Sequence, residues 1–219
     1  MATRSPASRR AFVRRHTRLL PVADVPGLRL QQAEDVTTLW RQAGRALGQV
    51  DPALPFWAFP WSGGLALARY LVDHPEGVAG RRVLDIASGS GLCAIVALRS
   101  GAASAHAADV DPFSAAAIAI NARANGVRIG VTRGDLLTAP PPPFDVILAG
   151  DVCYEETMAS RMVAWLRIAS DHGARVLLGD PGRTYLPRGL LQLASYQVRT
   201  SREIEDPELK EAGVFTFGG

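Results

Sequence analysis

The sequence is poor in the residues that support covalent cross-linking and metal binding. It has two cysteines, Cys93 and Cys153, and so few exclude a disulfide framework. The four histidines show no spacing typical of metal ligands, so we expect no metal. Lysine occurs once, at Lys210, whereas the other 23 basic residues are arginine. This cysteine usage favours a reducing compartment, and we expect a cytoplasmic protein.

Long apolar runs and a strong overall charge are also missing. No apolar run approaches the ~20 residues that a membrane span needs, so no membrane partner is expected. The formal net charge of +3 arises at one end, because six of the 24 basic residues are arginines that precede the first acidic residue, Asp24. The remaining 18 basic residues stand against 21 acidic ones. A mildly acidic body of this kind does not indicate a nucleic-acid surface.

Residues 1–20 form a basic leader, and residues 21–219 have the size and composition of one domain, with a lead-in at 21–64 and a core at 65–219. We expect a monomer. The leader is similar in composition to a mitochondrial transit peptide, which would place the protein in the mitochondrial matrix. A flexible, solvated leader on a bacterial protein is the favoured interpretation. Phe12, Val13, Leu19 and Leu20 also allow a short amphipathic helix that packs on the domain or contacts an acidic partner.

The segment 83–91, VLDIASGSG, is typical of a short apolar strand that enters a glycine turn before a helix. Gly89 and Gly91 permit a tight turn and the close approach of a ligand to free helix N–H groups. With Ala94 they also fit the dinucleotide fingerprint G-x-G-x-x-A, which keeps nicotinamide cofactors open. Asp85 repels a pyrophosphate and suits a ligand with an amino group and a sulfonium, so we expect S-adenosylmethionine. The alternative is that Asp85 only caps the helix.

Acidic residues follow several predicted strands. Asp109 ends the second strand about 20 residues after the turn, where a doubly wound sheet places the acid that binds ribose hydroxyls. Asp111 precedes Pro112 and is expected to cap the next helix. Asp135 follows the third strand and either accepts a hydrogen bond from the adenine amino group or shapes a turn. Parallel strands end at one edge, so the crevice is expected over Gly89, Asp109, Asp135, Asp151 and Asp180.

Strands and helices alternate after residue 82, which predicts an α/β fold with a doubly wound, mostly parallel sheet of seven strands. An antiparallel hairpin is expected to close the sheet, and a helical lead-in precedes it. The predicted strands span 83–86, 105–110, 128–132, 144–149, 174–179, 196–204 and 214–217. The predicted helices span 35–47, 65–73, 92–100, 112–125, 155–169 and 187–194.

The segment 55–64, PFWAFPWSGG, contains two of the four tryptophans. Its prolines and glycines predict that no regular element forms before a helix at 65–73. The aromatic side chains either cover a bound adenosyl group or form a hydrophobic plug that seats the N-terminal segment on the core. We assign Trp61 to the cofactor and Trp57 to the substrate.

These motifs resemble those of the class I, seven-β-strand methyltransferases, whose cofactor motifs correspond to VLDIASGSG and AADVDP. PFWAFPWSGG, GDVCYEE and LLGDPGR, in this order, resemble the electron transfer flavoprotein β-subunit lysine methyltransferase family over nearly the whole chain, from Phe12 to Phe217. The resemblance implies a Rossmann-like fold and methylation of lysines in that β-subunit. It implies cofactor contacts from Trp61, Asp85, Ala87, Ser88, Gly89, Gly91, Asp109, Asp135, Leu136 and Gly150.

Asp151 and Tyr154 match the acid-x-x-aromatic motif of that family, which implies a role in methyl transfer. A lysine amine has a pKa near 10.4, so only about one in a few thousand is neutral at pH 7. Burial beside a positive sulfur lowers that pKa, whereas Asp151 alone raises it. We therefore expect Asp151 to orient the amine rather than act as a strong base, unless it merely caps the helix near Glu155. Tyr154 is expected to line the channel, and Asp180 and Arg183 to line the protein-substrate groove or form a plain turn.

The motifs leave other functions open. A ribosomal-protein methyltransferase of the L11 type shares the cofactor motifs, which makes a ribosomal protein the alternative partner. A small-molecule methyltransferase, a non-catalytic module that binds S-adenosylmethionine, and an NAD-dependent enzyme are further alternatives. Base-amine methyltransferases of DNA or RNA usually present N-P-P-Y after the fourth strand. The GDVCY segment differs from that motif, so we expect no nucleic-acid partner.

Overall fold

A computed structural model describes residues 5–48, 54–200 and 209–218. The α-helices in these ranges are α1 (Pro6–His16), α2 (Val36–Leu47), α3 (Ser62–Asp73), α4 (Leu92–Arg99), α5 (Ser114–Ala124) and α6 (Glu156–Asp171). The strands are β1 (Arg18–Pro21), β2 (Arg29–Gln32), β3 (Arg82–Ile86), β4 (Ser104–Asp109), β5 (Gly130–Arg133), β6 (Val146–Gly150), β7 (Arg175–Asp180), β8 (Leu191–Arg199) and β9 (Leu209–Thr216). Within those ranges no helix is both long enough and apolar enough to cross a membrane.

The main sheet has the strand order β5-β4-β3-β6-β7-β9-β8. The first five strands in this order run parallel, whereas β9 pairs antiparallel with both β7 and β8. The chain leaves β3 toward β4 and later returns on the other side of β3 as β6. The carboxyl ends of strands at such a reversal form the crevice in which open α/β sheets bind ligands. The mostly parallel seven-stranded sheet with its antiparallel hairpin confirms the expected fold.

Both faces of the sheet are covered, which explains the continuous hydrophobic runs of its central strands. One core cluster packs α3 and α4 on one face, and a second packs α6 on the other through Trp165. Val146 and Leu148 of β6 belong to the first cluster, whereas Ile147 and Ala149 belong to the second. Alternate residues therefore serve opposite layers, as the two-residue period of a strand requires.

The N-terminal segment is docked on α5. Phe12 of α1 is buried, and its ring centroid lies 4.6 Å from that of Phe113. Asn121 Oδ1 accepts a hydrogen bond from Gln31 N at 2.7 Å, and Asn121 Nδ2 donates to Ser90 O at 2.8 Å. One amide side chain of α5 therefore joins β2 to the glycine turn. The small β1-β2 hairpin in this segment had no counterpart among the sequence predictions.

One predicted helix is wrong. The segment 187–194 enters β8, which begins at Leu191. Its leucines favour a helix locally, but Gly189 has a φ of +83°, and pairing with β9 overrides the local propensity. The hairpin expected at 196–204 and 214–217 is present as β8 and β9, and residues 201–204 lie outside the described residues.

The aromatic segment is more regular than its prolines and glycines predict. Phe56–Ala58 form a short 3₁₀ turn. Helix α3 begins at Ser62, three residues before the predicted start at Leu65, and therefore includes Gly63 and Gly64. Both glycines are buried, because this end of α3 rests on the sheet.

Candidate active site

The turn between β3 and α4 adopts the left-handed backbone that its glycines permit. The φ angles are +54° at Gly89 and +83° at Gly91, and Ala87 also has a positive φ of +52°. A Cβ atom at Gly91 would lie 3.3 Å from Ile118 Cγ1 on α5. The turn therefore needs glycine at 91 for both backbone and space.

Asp85 supports this turn from inside the sheet. It is 2% exposed, and its Oδ2 accepts hydrogen bonds from Ser88 Oγ at 2.5 Å and from Ala94 N at 3.1 Å. Burial raises the pKa of Asp85 to about 7, and the charge of Asp109 adds to the increase. The hydrogen bond from Ala94 N agrees with the capping alternative, and because the pKa is raised, a cationic ligand beside Asp85 would favour its carboxylate form.

Asp109, at the end of β4, reaches the same turn. Its Oδ2 accepts a hydrogen bond from Gly89 N at 2.7 Å, and its Oδ1 accepts one from Asp111 N at 2.8 Å. Burial raises the pKa of Asp109. Asp111 Oδ1 accepts a hydrogen bond from Phe113 N at 2.7 Å, but α5 begins at Ser114 with Phe113 as its N-cap, so the predicted cap at Asp111 is wrong and Asp111 shapes the turn before the helix. Burial raises the pKa of Asp111 to about 6. The ribose role of Asp109 stays a prediction, and these bonds fix its carboxylate at the crevice edge.

Asp135 forms another part of the crevice wall. Its Oδ1 accepts a hydrogen bond from Leu137 N at 2.9 Å, and its Oδ2 pairs with Arg161 Nη2 of α6 at 2.7 Å. The hydrogen bond from Arg161 lowers the pKa of Asp135, so the carboxylate is charged. Asp135 thus shapes a turn, as the alternative states, and it also lines the crevice beside Leu136.

Glycines let the first turn of α3 cross directly over the ends of β6 and β7. A Cβ atom at Gly63 would overlap the carbonyl oxygen of Gly179 and lie 2.7 Å from Asp151 Oδ2. A Cβ atom at Gly150 would lie 2.9 Å from Gly64 Cα. Glycine in a strand often marks such an approach of two backbones. The crossing brings the start of α3 to the carboxyl end of the sheet.

Asp151 follows β6 and forms hydrogen bonds with both elements at this crossing. Its φ is +55°, and its backbone N–H donates to Gly179 O at 2.9 Å. Its Oδ2 accepts a hydrogen bond from Gly64 N at 2.8 Å. Its Oδ1 accepts hydrogen bonds from Arg183 Nη2 at 2.8 Å and Nε at 3.3 Å. The side chain of Asp151 is only 8% exposed, so these contacts fix its orientation.

Helix α6 has its own cap. Glu155 accepts hydrogen bonds from Thr157 N at 2.9 Å and from Met158 N at 2.7 Å. These bonds lower the pKa of Glu155. The alternative in which Asp151 caps this helix is therefore wrong.

Asp180 and Arg183 belong to one turn after β7. Asp180 is fully buried, and its Oδ1 accepts hydrogen bonds from Gly182 N at 2.8 Å and from Arg183 N at 2.7 Å. Asp180 therefore builds the turn and does not line a substrate groove. Arg183 lines the crevice, and its guanidinium faces Asp151.

Aromatic rings meet at the mouth of the crevice. The ring centroid of Phe56 lies 5.1 Å from that of Tyr154 and 5.4 Å from that of Trp61, and Trp61 Nε1 donates to Phe56 O. Tyr154 is 43% exposed, and burial of its remainder raises the pKa of its hydroxyl. Trp57, expected on the substrate side, borders the cavity, but its ring is buried against Phe113 at a centroid distance of 5.9 Å. The aromatic segment therefore both lines the cavity and packs against Phe113 at the start of α5.

These elements enclose a cavity of about 840 Å³, which is within the range of small-molecule sites. The predicted residues that line it are Trp57, Trp61, Asp85, Ala87, Ser88, Gly89, Asp109, Asp135, Leu136, Gly150, Asp151, Tyr154 and Arg183. Gly91 and Asp180 are not part of the lining and act through the backbone. Sequence reasoning missed other lining residues, which include Phe56, Gly64, Met158, Arg161 and Met162.

Neither cysteine is suited to nucleophilic chemistry. Burial raises the pKa of Cys93 well above its ordinary range and that of Cys153 to about 12. Both thiols therefore stay protonated at neutral pH. Across the described ranges, no group of three or more His, Cys, Asp or Glu side chains is arranged to hold a metal ion.

The reversal of the sheet at β3, the glycine turn after that strand and the acidic strand ends around one cavity define a class I methyltransferase. The family model of the ribosomal protein L11 methyltransferases matches residues 72–152. A solved protein from Pyrococcus horikoshii, assigned as an RNA methyltransferase, superposes with a TM-score of 0.58 at 14% identity over 83% of this chain and 98% of its own. This second likeness shows the fold.

Two relatives define the family more narrowly. A Xenopus laevis protein named electron transfer flavoprotein beta subunit lysine methyltransferase is 34% identical over 215 residues, which cover 95% of this chain and 86% of the relative. The mouse protein of the same name is 39% identical over 170 residues, which cover 74% of this chain and 67% of the relative. The chain belongs to the electron transfer flavoprotein beta subunit lysine methyltransferase family.

Proposed function

We propose that this chain transfers a methyl group from S-adenosylmethionine to lysine side chains of the electron transfer flavoprotein β-subunit. The observation that carries the proposal is the 34% identity, over 95% of the chain, to a relative of that name. The geometry supports it, since Asp151 and Tyr154 of the acid-x-x-aromatic motif share one cavity with the glycine turn. The exposed position of Tyr154 at the mouth suits a substrate that enters from a protein surface.

The charges of the cavity suit a cationic cofactor. Five aspartates and two arginines line the cavity, and each arginine is paired with one of these aspartates. The other carboxylates disfavour a pyrophosphate, which nicotinamide cofactors carry, and favour positive amino and sulfonium groups. When bound, S-adenosylmethionine supplies a methyl carbon on a positive sulfur, which departs as a neutral thioether.

Two groups of cavity residues are suited to the two parts of the cofactor. We assign the adenosine part to Asp109, Asp135 and Leu136, which lie at the ends of β4 and β5. We assign the charged part to the turn at 87–91 and to the carboxylate of Asp85. Trp61 and Gly150 complete the wall.

The acceptor amine has to arrive without its extra proton, because an ammonium nitrogen has no lone pair. Asp151 already accepts hydrogen bonds from Arg183 and Gly64, which makes it a weak base. It accepts one N–H of the amine and so aims the nitrogen lone pair at the methyl carbon. Tyr154, packed on Phe56, lines the path, and its ring face stabilises the lysine ammonium before the proton is lost. The released proton passes to water at the open mouth.

A ribosomal protein stands as the alternative acceptor, because the L11 methyltransferase family model matches residues 72–152. That segment contains the glycine turn, Asp109, Asp135 and Asp151. The aromatic segment at 55–64 and Arg183 lie outside it. The match thus covers Asp151 and most of the residues that we assign to the cofactor, whereas the aromatic segment and Arg183, which could distinguish one protein substrate from another, lie elsewhere.

We further propose that the protein is a monomer in a reducing compartment, with the cytoplasm as the simplest location. The two cysteines are buried free thiols, which agrees with a reducing environment. Burial of Phe12 against α5 favours a leader that is retained rather than removed. Size-exclusion chromatography with light scattering and subcellular fractionation would test both points.

The decisive experiment supplies the purified protein with tritiated S-adenosylmethionine and either electron transfer flavoprotein or ribosomal protein L11. We expect label in the flavoprotein β-subunit, mapped to methyl-lysine by mass spectrometry. The enzyme has one lysine of its own, Lys210, so self-labelling is a small background. Label in L11 alone would mean that the acceptor is a ribosomal protein, and the proposed methyl-transfer chemistry would still hold.

An Asp151→Ala variant tests the assignment of the site. We expect it to abolish transfer while calorimetry with S-adenosylhomocysteine gives an affinity near that of the wild-type protein. Unchanged turnover in this variant would remove Asp151 from the mechanism. Absence of binding in the wild-type protein would remove the cofactor assignment itself.

A further inference from the structure

The Asp151–Arg183 ion pair lies at the cavity and is largely shielded from solvent. Asp151 contacts both Nη2 and Nε of Arg183, and their side chains are 8% and 23% exposed. Asp180 accepts the backbone N–H of Arg183 at 2.7 Å, so the turn that carries Arg183 is itself anchored in the sheet. The guanidinium is therefore fixed at the carboxylate by its own hydrogen bonds and by the backbone.

The charged surroundings of Asp151 give this cation a specific effect. The titratable groups that lie beside it or line the same cavity come from β3, β4, α4, the segment after β6 and the turn after β7, and Gly64 at the first turn of α3 contributes a backbone N–H. These groups are Asp85, Asp109, Cys93, Cys153, Tyr154, Asp180 and Arg183. Arg183 is the cation among them, and the thiols and the phenol are neutral at pH 7.

We propose that Arg183 is a positioning residue for methyl transfer, which holds Asp151 in place for the acceptor amine and offsets its charge so that the amine enters neutral. The inference rests on the proposed function. A carboxylate beside an amine favours the ammonium form, which cannot attack. With Arg183 in place, the pair as a whole is close to neutral, and Asp151 remains a hydrogen-bond acceptor beside the amine rather than an isolated negative charge. The ammonium proton is lost to water before transfer.

The first test compares Arg183→Met and Arg183→Lys with the wild-type protein on purified electron transfer flavoprotein between pH 6.5 and 10, at saturating substrate. Without the cation, the amine pKa should rise, and the midpoint of the pH–rate curve should shift upward by about one unit. The rate at pH 7 should then fall about tenfold, and it should recover at high pH. Arg183→Lys keeps the positive charge and should hold the midpoint near the wild-type value.

The matched control is Arg82→Met. Arg82 pairs with Asp145 with Nη2–Oδ1 and Nε–Oδ2 distances of 2.8 and 3.2 Å, at the opposite edge of the sheet. The Arg82→Met substitution should lower the melting temperature without shifting the midpoint of the pH–rate curve. A rate in Arg183→Met that falls equally at every pH would mean a purely structural role and would overturn the proposal.

A second test needs no protein substrate. Sinefungin carries an amine at the position of the transferred methyl group, whereas S-adenosylhomocysteine carries nothing there. Loss of Arg183 should leave Asp151 more attractive to that amine, so Arg183→Met should shift the ratio of the two Kd values about tenfold toward sinefungin. Arg183→Lys and Arg82→Met should leave the ratio unchanged.

These two tests separate the inference from the proposed function. If the wild-type protein binds both ligands but does not methylate the flavoprotein, the proposed acceptor is wrong and the Kd ratio still decides the role of Arg183. An unchanged ratio in Arg183→Met would refute that role. If the wild-type protein binds neither ligand, the cofactor assignment and the role of Arg183 fall together.

Discussion

Alanine at Gly179 would disturb the contact between α3 and the sheet. A Cβ atom there would overlap the carbonyl oxygen of Gly63, lie 2.9 Å from Gly63 C and lie 3.0 Å from Leu67 Cβ. Two of these atoms belong to the backbone, and Leu67 Cβ is the inner end of its side chain. The strain cannot be relieved by a rotamer change, so the first turn of α3 has to move.

Two terms set the expected loss of stability. Overpacking of this kind costs about 1–3 kcal/mol. Movement of α3 also stretches the hydrogen bond from Gly64 N to Asp151 Oδ2, now 2.8 Å, and a hydrogen bond to a charged group contributes about 1.5–3 kcal/mol. We therefore expect Gly179→Ala to lower the free energy of unfolding by about 3–5 kcal/mol. Displacement of Asp151 by ~1 Å should lower turnover about a hundredfold.

Gly64→Ala is the matched control. A Cβ atom at Gly64 meets only Leu92 Cδ2, at 3.5 Å, and the backbone N–H that serves Asp151 is retained. Because alanine favours a helix over glycine, stability should be unchanged or rise by up to about 1 kcal/mol. Urea unfolding followed by tryptophan fluorescence and circular dichroism measures both variants. Equal free energies of unfolding for Gly179→Ala and Gly64→Ala would refute the crossing of α3 over the strand ends.

Three further predictions concern the cavity. Because burial raises the pKa of Asp85 to about 7 in the folded state, its contribution to stability is complete below about pH 4 and is lost as the pH rises to about 7. The free energy of unfolding, measured in urea at pH 4 and pH 8, should therefore fall less between these pH values in Asp85→Asn than in the wild-type protein, by at most about 4 kcal/mol. An equal fall in both proteins would contradict this prediction. Asp109→Ala removes the partner of Gly89 N and the predicted ribose acceptor, so calorimetry with S-adenosylhomocysteine should show at least a tenfold loss of affinity, roughly one hydrogen bond to a charged group. Tyr154→Phe keeps the ring that packs on Phe56 and should retain most turnover, whereas Tyr154→Ala should lose about tenfold; equal losses would assign the role to the hydroxyl instead.

The sheet and the strand-end acids were predictable because their signals are local. Apolar runs such as 146–149 give the buried strands, and an acid at the end of a parallel strand has to lie at the crevice. Asp109 and Asp151 were placed in this way. Asp180 shows the limit of the argument, because its position at a strand end was right while its side chain turns inward to hold two backbone N–H groups.

Other features depend on contacts between distant segments. Gly63 and Gly64 are helix breakers in a local pattern, yet they begin α3 because two strand ends lie directly below them. Arg161 pairs with Asp135, which lies 26 residues away, and the sequence around Arg161 does not indicate that partner. Gly179 carried a usable signal, since a glycine at the end of a buried strand suggests close approach of another backbone.

Asn121 connects the lead-in segment to the glycine turn of the proposed ligand site. Its carbonyl oxygen binds the backbone of β2 while its amide nitrogen binds Ser90 in the glycine turn. If a ligand strengthens the bond between Asn121 and Ser90, linkage predicts that it also strengthens the attachment of β2. By the same linkage, a partner that binds β2 would change the affinity of the turn for its ligand. Residues that precede the sheet, and that touch nothing in the cavity, can in this way report whether the cavity is filled.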